Sequence, residues 1–417
     1  MGKRIVIIGG GAAGMLAAGS AGAAGGSVLL LEKMKQAGVK LLISGKGRCN
    51  ITNTAGLAEF FKEINDQRFL RYAFSEFFSK EIVSILEKQG VITVEERGGR
   101  VFPSSDEAKD VRDSLLKWVL NYNPDIHYLE PVSELVITNS EVKGVKTRNG
   151  KQYSCDALIL ATGGLSYPAT GSTGEGLVWL RKTGHTIIPV RPGLVPLVTE
   201  GNIAAGLQGL SLKNINASLW INRKKVKDEF GELLFTHYGL SGPVILTLSR
   251  FIDFTDKTLE SIEISIDLKP ALDDQKLDLR LLRELDDHSK MHFRSILELL
   301  LPRKLAEITP QILNIPAEKP AHQISAQERK KLRLFLKDFR FRITGNRGFK
   351  EAIITSGGLD LHEVDSKTMG SKLVKNLYVC GEMLNLDANT GGFNLQIAWS
   401  TGWVAGKSAA LGLGPWK

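Results

Sequence analysis

The sequence is poor in cysteine, and its three cysteines lie far apart. Cys49, Cys155 and Cys380 form no CxxC pair within the 417 residues. This spacing excludes a cysteine-based zinc site and a disulfide framework, and it is typical of proteins of a reducing compartment. The seven histidines show no spacing typical of metal ligands. We therefore expect no metal site and a cytoplasmic location.

Long apolar runs are also missing. No stretch reaches the roughly 18 consecutive apolar residues that a membrane-spanning helix needs, so no membrane partner is expected. The N-terminus lacks the charged and apolar regions of a signal peptide. Apolar residues nevertheless make up 43% of the chain, enough for the cores of two or three domains.

The formal net charge is +9, which raises the question of a nucleic-acid or membrane-surface partner. The basic residues cluster at 329–333 and 340–342, on or beside a predicted helix, where an exposed helix face explains most of them. No basic motif interleaved with aromatic residues, as nucleic-acid binding favours, is found. A nucleic-acid partner is therefore not expected, and the sequence does not indicate an oligomeric state.

The most informative feature is a glycine-rich turn near the start of the chain. The apolar run Ile5–Ile8 predicts a buried parallel strand, and it leads directly into Gly9, Gly11 and Gly14 and an alanine-rich helix. In such a turn the first glycine permits the tight bend, and the second allows the backbone to approach a pyrophosphate. The third allows the helix to pack closely on the strand. The N–H groups of the helix then face the phosphates.

A second apolar run, 27–31, ends in Glu32. A carboxylate at this strand end can accept hydrogen bonds from the 2′- and 3′-hydroxyls of an adenosine ribose, and it would repel the 2′-phosphate of NADP. Strand, turn, helix, strand and acidic residue therefore occur in the order that predicts an adenine dinucleotide site.

Two later segments favour FAD over NAD. Residues 156–164 predict another buried strand ending in a small-residue turn, and residues 376–382 predict a strand ending in Gly381–Glu382. A glycine-rich entry at 390–396 and a helix at 397–410 follow. FAD is longer than NAD, and its flavin needs walls from distant parts of the chain, which these segments supply.

At these residues the chain resembles a known family, the HI0933-like flavoproteins. They are bacterial NAD(P)/FAD-dependent oxidoreductases of the aminoacetone-oxidase and bile-acid-reductase (BaiN-like) type. The resemblance covers essentially the whole chain, and the ISGxGRCN and FTHxGLSGP blocks are specific to the family. The blocks that carry it are 9–14, 40–53, 98–103, 161–168, 171–174, 231–243, 381–382 and 390–396. The chain departs from the family at 385–389 and at Lys46, which leaves substrate preference open.

Pattern and resemblance together predict an α/β fold with a discontinuous Rossmann-like FAD-binding domain, a parallel sheet with a β-meander. A β-barrel domain and a helical subdomain are inserted in it. The predicted boundaries are 1–188 and 345–417 for the FAD domain, 189–268 and 339–344 for the barrel, and 269–338 for the helical insertion.

Several elements are predicted within this plan. Alternating segments at 126–128, 132–138, 142–147 and 152–155 predict antiparallel strands. Residues 59–78 are predicted as one helix. Residues 211–221 are predicted as a strand, with turns at Asn222–Arg223 and near Gly231.

The expected cofactor-binding residues share a position at a strand end or in a glycine-rich loop. They are Gly9, Gly11, Ala12, Ala13, Gly14, Glu32, Lys33, Lys40, Ser44, Gly45, Lys46, Gly47, Arg48, Asn50, Val132, Ala161, Thr162, Gly163, Gly381, Glu382, Gly392, Asn394, Leu395 and Gln396.

Side chains of three types in the family-specific blocks could each have one of two roles. Lys46 and Arg48 could stabilise the anionic reduced flavin, or they could bind pyrophosphate or cap the loop. Cys49 has no partner cysteine, so a packed role is favoured over a thiol relay. His237 is the candidate catalytic residue, as a proton donor or acceptor, with a purely structural hydrogen bond in its loop as the alternative.

The sequence thus predicts an enzyme with noncovalent FAD that transfers a hydride between flavin N5 and a small organic substrate. O₂ or NAD(P)H is the other redox partner. Residues 171–176 are a loop rather than a second dinucleotide fingerprint, so NAD(P)H would bind as a transient co-substrate without its own Rossmann domain. The alternatives are a nucleic-acid-associated flavoprotein of the tRNA-modifying type and a redox sensor without turnover.

Overall fold

The computed structural model describes residues 2–256 and 258–416. Its strands are β1 (Arg4–Ile8), β2 (Ser27–Leu31), β3 (Thr52–Asn53), β4 (Thr93–Glu96), β5 (Arg100–Pro103), β6 (Asp125–His127), β7 (Val132–Thr138), β8 (Glu141–Thr147), β9 (Gln152–Ser154), β10 (Ala157–Leu160), β11 (Ile187–Gly193), β12 (Leu197–Thr199), β13 (Ser211–Ile221), β14 (Lys224–Thr236), β15 (Gly239–Ser241), β16 (Ile262–Asp267), β17 (Phe339–Asn346), β18 (Ile354–Leu359) and β19 (Leu377–Val379).

The helices follow the same chain order. They are α1 (Ala12–Ala23), α2 (Val39–Ile43), α3 (Leu57–Lys62), α4 (Gln67–Glu76), α5 (Ser79–Lys88), α6 (Ala108–Leu120), α7 (Glu175–Lys182), α8 (Ile203–Gly206), α9 (Pro243–Ser249), α10 (Asp274–Asp287), α11 (Phe293–Leu300), α12 (Arg303–Leu313), α13 (Ala326–Lys337) and α14 (Phe393–Leu411). No helix of the described residues is long and apolar enough to cross a membrane.

The chain forms two compact units. Unit 1 comprises Met1–Gly193 and Phe349–Lys417, and unit 2 comprises Leu194–Gly348. Unit 1 is built on a parallel sheet with the strand order β19-β10-β1-β2-β6. The side chains of residues 5–8 in β1 and of all of β10 are almost wholly buried, as expected for strands that are covered on both faces. The predicted Rossmann-like parallel sheet is confirmed.

Helices α1 and α14 pack closely against each other in unit 1. A Cβ on Gly402 would lie 2.3 Å from the carbonyl oxygen of Ala13, and one on Gly406 would lie 2.2 Å from that of Ala17. Any side chain at these two positions would therefore push the helices apart. The chain has glycine at both, which allows the C-terminal helix to lie directly on the helix of the glycine-rich turn.

Unit 2 contains a closed barrel with the strand order β12-β15-β14-β13-β16-β17, as the resemblance implied. Strand β13 has the predicted bounds and pairs with β14 through the predicted turn at Asn222–Arg223. Helices α10 to α13 contribute Leu277, Leu281 and Leu332 to the same hydrophobic core as the barrel residues Ile264 and Ile266. Barrel and helices therefore form one unit.

Three local predictions are wrong. Residues 126–128 do not belong to the antiparallel meander, because β6 pairs in parallel with β2, whereas β7-β8-β9 form the meander as predicted. A segment this short does not distinguish the two pairings. The helix predicted at 59–78 is interrupted, since the side chain of Asp66 accepts from the N–H groups of Arg68 and Phe69 and starts α4 there. Gly231 lies within β14, where it pairs with Ile215 next to a bulge in β13.

Candidate functional site

A large cavity of unit 1 opens where strands β1, β2, β10 and β19 end. It encloses about 1380 Å³ of space, including the part open to solvent. The carboxyl ends of parallel strands are where α/β folds bind ligands. Its wall contains 16 predicted cofactor-binding residues: Gly9, Gly11, Ala12, Ala13, Glu32, Lys33, Lys40, Ser44, Val132, Ala161, Thr162, Gly163, Gly381, Glu382, Asn394 and Leu395.

The wall also contains residues that the sequence analysis missed. They include Met34, Gly38, Val39, Glu130, Gly171, Ser172, Glu175, Trp179, Ile353, Ile354, Cys380, Leu386 and Ala398. Most of them lie within a few residues of a predicted site residue or block. Ile353 and Ile354 had no such signal, because the fold alone brings the start of β18 to the cavity.

The three glycines of the turn have different structural roles. Gly9 has φ +99°, and a Cβ on it would lie 2.5 Å from the carbonyl oxygen of Ala161. A Cβ on Gly14 would lie 1.8 Å from the carbonyl oxygen of Gly9, so this glycine permits the close helix–strand packing that was predicted. A Cβ on Gly11 would find no atom of the described residues within 4 Å. The fold itself therefore requires glycine at positions 9 and 14, but not at position 11.

Gly11 is also the N-cap of α1, and it has no side chain with which to cap the helix. The N–H groups of the first helical turn have no partners within the helix, and they carry the positive end of its dipole. Because Gly11, Ala12 and Ala13 line the cavity, this helix start is suited to bind an anionic group there.

Glu32 lies at the end of β2 with its carboxylate fixed by the backbone. It accepts hydrogen bonds from the N–H of Gly10 at 2.6 Å and from the N–H of Met34 at 2.7 Å. Burial raises the pKa of the Glu32 carboxyl, and these two N–H groups act in the opposite direction. Each carboxylate oxygen keeps a second lone pair, so the group can still accept from a ligand hydroxyl.

Lys33 is adjacent to Glu32 and is held on the same side of the cavity. Its ammonium donates to the hydroxyl of Thr173 at 2.6 Å and to the carboxylate of Glu175 at 2.7 Å. Arg148 also donates to Glu175, at 2.6 Å. Two cations therefore share one carboxylate, and this group keeps one net positive charge on the β2 side of the cavity.

A second polar cluster lies at the ends of β10 and β19. The ammonium of Lys40 donates to the Ser166 hydroxyl at 2.6 Å and to Glu382 Oε2 at 2.7 Å. Glu382 Oε1 accepts from the Ser166 hydroxyl at 2.8 Å and from the Thr355 N–H at 2.7 Å. We call these four residues the Lys40 cluster. It connects segments that are far apart in sequence and fixes the carboxylate at the cavity wall.

Eight predicted cofactor-binding residues do not line the cavity: Gly14, Gly45, Lys46, Gly47, Arg48, Asn50, Gly392 and Gln396. The Arg48 guanidinium instead binds Glu96 at 2.5 Å and Asp106 at 2.7 Å, and it lies 4.2 Å from the ring centre of Phe102. Lys46 is exposed. Lys46 and Arg48, for which a role at the flavin was one of the alternatives, therefore lie outside the cavity wall, because loop 44–48 leaves the wall after Ser44.

The C-terminal glycine-rich segment is mainly a structural junction. A Cβ on Gly392 would lie 2.3 Å from the carbonyl oxygen of Thr52, and Gln396 accepts from the Thr52 hydroxyl at 2.7 Å. The Asn50 amide lies between the carbonyl oxygen of Thr52 and the N–H of Gly392. Asn394 holds the preceding loop through the N–H and carbonyl of Ala388, both at 2.9 Å. The segment thus positions the start of α14 at the cavity.

The cysteines and histidines show no reactive grouping. Burial raises the pKa of the Cys49 thiol to about 11, so the thiol is protonated at neutral pH, and Cys49 is not in the cavity wall. Among the described residues, no three His, Cys, Asp or Glu side chains are grouped to bind a metal ion. His237 belongs to unit 2, where it lies exposed in the two-residue turn between β14 and β15 beside Tyr238.

Comparisons with known proteins show the family of this chain and two relatives of similar length. The model of the HI0933-like protein Rossmann domain matches residues 3–408. The ribosomal RNA dihydrouridine synthase of Escherichia coli K12 is 31% identical over 376 residues, 90% of this chain and 90% of that protein. The 3-dehydro-bile acid delta(4,6)-reductase of Clostridium scindens is 31% identical over 382 residues, 91% of this chain and 92% of that protein.

Solved structures show a likeness of fold. The Sdh1 complex of Mycobacterium smegmatis in its apo form gives a TM-score of 0.50 at 15% identity, and the match covers 98% of this chain and 68% of that chain.

Proposed function

The chain belongs to the HI0933-like family of Rossmann-fold flavoprotein oxidoreductases, and from that premise we propose that it is an FAD-dependent reductase with FAD held noncovalently in the unit 1 cavity. The observation that carries the proposal is the open position beside Gly11, where glycine serves no packing need of the protein. A pyrophosphate approaching the start of α1 explains it, because any Cβ there would occupy the space of the phosphates.

The described residues supply groups for each part of FAD. Glu32 would accept from the adenosine ribose, and the N–H groups at the start of α1 would bind the diphosphate. The walls after β10 and β19 would take the ribityl chain and the flavin. FAD would supply hydride transfer at its N5 atom. Noncovalent binding is proposed because the wall contains no histidine, and its one cysteine, Cys380, is buried with its thiol 3.8 Å from the carbonyl oxygen of Leu160.

For the substrate we propose a small organic molecule with a carbon–carbon double bond conjugated to a carbonyl. The names of two relatives describe this chemistry: uridine has its C5=C6 bond conjugated to a carbonyl, and a 3-oxo steroid has its Δ4,6 bonds conjugated likewise. Reduction places a hydride on the β-carbon and a proton on the α-carbon. NAD(P)H is the proposed electron donor for this reduction. O₂, the alternative redox partner, would accept electrons, and it therefore belongs to an oxidase reaction in which the organic substrate is the hydride donor. His237 remains the candidate for the proton, from sequence alone.

RNA is the second candidate substrate. It is favoured by the relatives named as ribosomal RNA dihydrouridine synthases and by the net charge of +9. In both candidates the reduced bond is a carbon–carbon double bond conjugated to a carbonyl. They differ in size: the first is a free small molecule, and the second is a uridine within a polynucleotide. Uridine-containing RNA, free uridine and a small enone, each offered to the reduced enzyme, separate them.

The first experiment asks whether the protein binds FAD at all. The purified protein is expected to be yellow, and denaturation is expected to release FAD rather than FMN or NAD. Absorption spectra and mass spectrometry of the released cofactor identify it. A colourless protein that cannot be reconstituted with FAD would overturn the proposal.

We expect Cys49→Ser to leave electron transfer nearly unchanged, because the buried thiol is protonated and lies outside the cavity wall. Reduction of the bound FAD by its donor should stay within about tenfold of wild type, a barrier change of about 1.4 kcal/mol or less. Rapid-mixing measurement of flavin bleaching tests this, with Cys155→Ser as a control. Normal FAD binding combined with a collapse of reduction would indicate a thiol mechanism instead.

A further inference from the structure

The strand order of unit 1 sets the order in which the binding groups follow one another along the cavity. Glu32 follows β2 and the glycine-rich turn follows β1, while Ser166 follows β10 and Glu382 follows β19. The sheet places these strands side by side in the order β19-β10-β1-β2. If the proposed function holds, a ribose at Glu32 and a diphosphate at Gly11 direct the remainder of FAD towards β10 and β19. The flavin half of the cavity is then the half that contains the Lys40 cluster.

Lys40 is the basic side chain of this half. In the cavity wall of the described chain the basic residues are Lys33 and Lys40, and Lys33 is paired with Glu175 on the β2 side. An ammonium group has three N–H donors. Ser166 and Glu382 take two donors of Lys40, which leaves one for a ligand in the cavity.

The hydrogen bonds of the Lys40 cluster also hold the ion pair between Lys40 and Glu382 in place, unlike an ion pair on an open surface. Glu382 is held by the Ser166 hydroxyl and the Thr355 N–H, and its side chain is only 20% exposed, against 30% for Lys40. Charges that are fixed and partly shielded from water act more strongly on a neighbouring group than charges in solvent. Lys40 and Glu382 therefore place a fixed positive charge and a fixed negative charge next to a ligand in the flavin half of the cavity.

We propose that Lys40 is the cation that stabilises the reduced flavin, and that Glu382 opposes it. Hydride transfer adds two electrons and one proton to the flavin ring, which leaves the reduced ring with one net negative charge. A fixed positive charge favours that state and raises the reduction potential, whereas a fixed carboxylate lowers it. From the sequence, Lys46 and Arg48 were candidates for this role, with pyrophosphate binding or loop capping as the alternative, but the geometry points to Lys40.

The test is the midpoint potential of bound FAD, measured anaerobically against a reference dye. Lys40→Met should shift the two-electron reduction equilibrium at least tenfold towards oxidised FAD, a potential lower by about 30 mV or more. Lys40→Arg should stay within threefold of wild type. Glu382→Gln should shift the potential upwards. Lys35→Met is the matched control, because Lys35 is an exposed lysine outside the cavity wall.

The opposite signs of the two charge variants keep the proposal testable even if Lys40→Met loses FAD. An unchanged potential in the FAD-loaded Lys40→Met protein, or a downward shift in Glu382→Gln, would overturn the proposal. A shift in Lys46→Met with none in Lys40→Met would return the role to the residue predicted from sequence. If the wild-type protein binds no FAD, the proposed function itself fails, and that outcome is seen before any potential is measured.

Discussion

Replacing Gly11 with valine is expected to abolish useful FAD binding while the protein stays folded. A Cβ at this position meets no atom of the described residues within 4 Å, so the apo form loses only the N-cap preference of glycine over valine, about 1 kcal/mol or less. The same side chain occupies the space that the diphosphate needs next to the start of α1. We expect FAD affinity to fall at least 100-fold, about 2.7 kcal/mol.

The measurement pairs FAD titration of the apo protein with thermal unfolding of the same sample. The Gly11→Val apo protein should melt within a degree or two of the wild-type apo protein, and only the wild type should be stabilised by added FAD. FAD affinity within threefold of wild type would show that the diphosphate does not lie at this turn. A large loss of apo stability would show that Gly11 is a packing residue after all.

Replacing Gly402 with leucine should destabilise unit 1 strongly. A Cβ at Gly402 would approach the carbonyl oxygen of Ala13 to 2.3 Å, and a backbone atom cannot swing aside as a side chain can. The two helices must separate, which exposes the buried contact between α1 and α14. Overpacking costs 1–3 kcal/mol in most cores, and with a backbone atom in the way we expect a loss of about 3 kcal/mol or more.

Urea unfolding of the apo protein, followed by tryptophan fluorescence, measures this loss. Five of the six tryptophans, all except Trp220, belong to unit 1, so the signal reports mainly on that unit. Gly11→Leu is the matched control, since it introduces the same side chain at the start of α1, where a Cβ meets no atom of the described residues within 4 Å. Equal midpoints for the two variants would contradict the close packing of α1 on α14.

Local sequence was sufficient to predict the strands that form the parallel sheet and the presence of the inserted barrel. The buried runs at β1, β2 and β10 predicted a parallel sheet, and the family blocks predicted the inserted barrel, because these depend on contiguous residues. The family itself was also predicted correctly from its blocks. The short β6 could not be placed, since three residues do not show whether their partner runs in parallel.

The arrangement of charges at the cavity could not be read from the sequence. Lys40 meets Ser166 and Glu382 across separations of 126 and 342 residues, and only the folded sheet brings them together. Arg48 looked equally suitable as a cation for the cofactor. The Arg48 guanidinium instead forms ion pairs with Glu96 and Asp106, and only the folded chain brings these carboxylates close to it. Residue type and neighbourhood in sequence therefore placed Lys40 among the expected cofactor-binding residues, but they did not distinguish it from Lys46 and Arg48, which lie outside the cavity wall.

We propose that bound FAD carries electrons from NAD(P)H to a double bond conjugated to a carbonyl, and one anaerobic experiment follows both steps. Anaerobic mixing with NADH or NADPH should bleach the yellow protein, and a stoichiometric amount of a small enone or of uridine-containing RNA should restore its colour while the double bond is reduced. The absorption spectrum of the bound flavin reports its reduction and reoxidation, and the mass of the product shows whether the double bond was reduced. A flavin that is bleached but recovers only when O₂ is admitted, with every double bond intact, would contradict the claim.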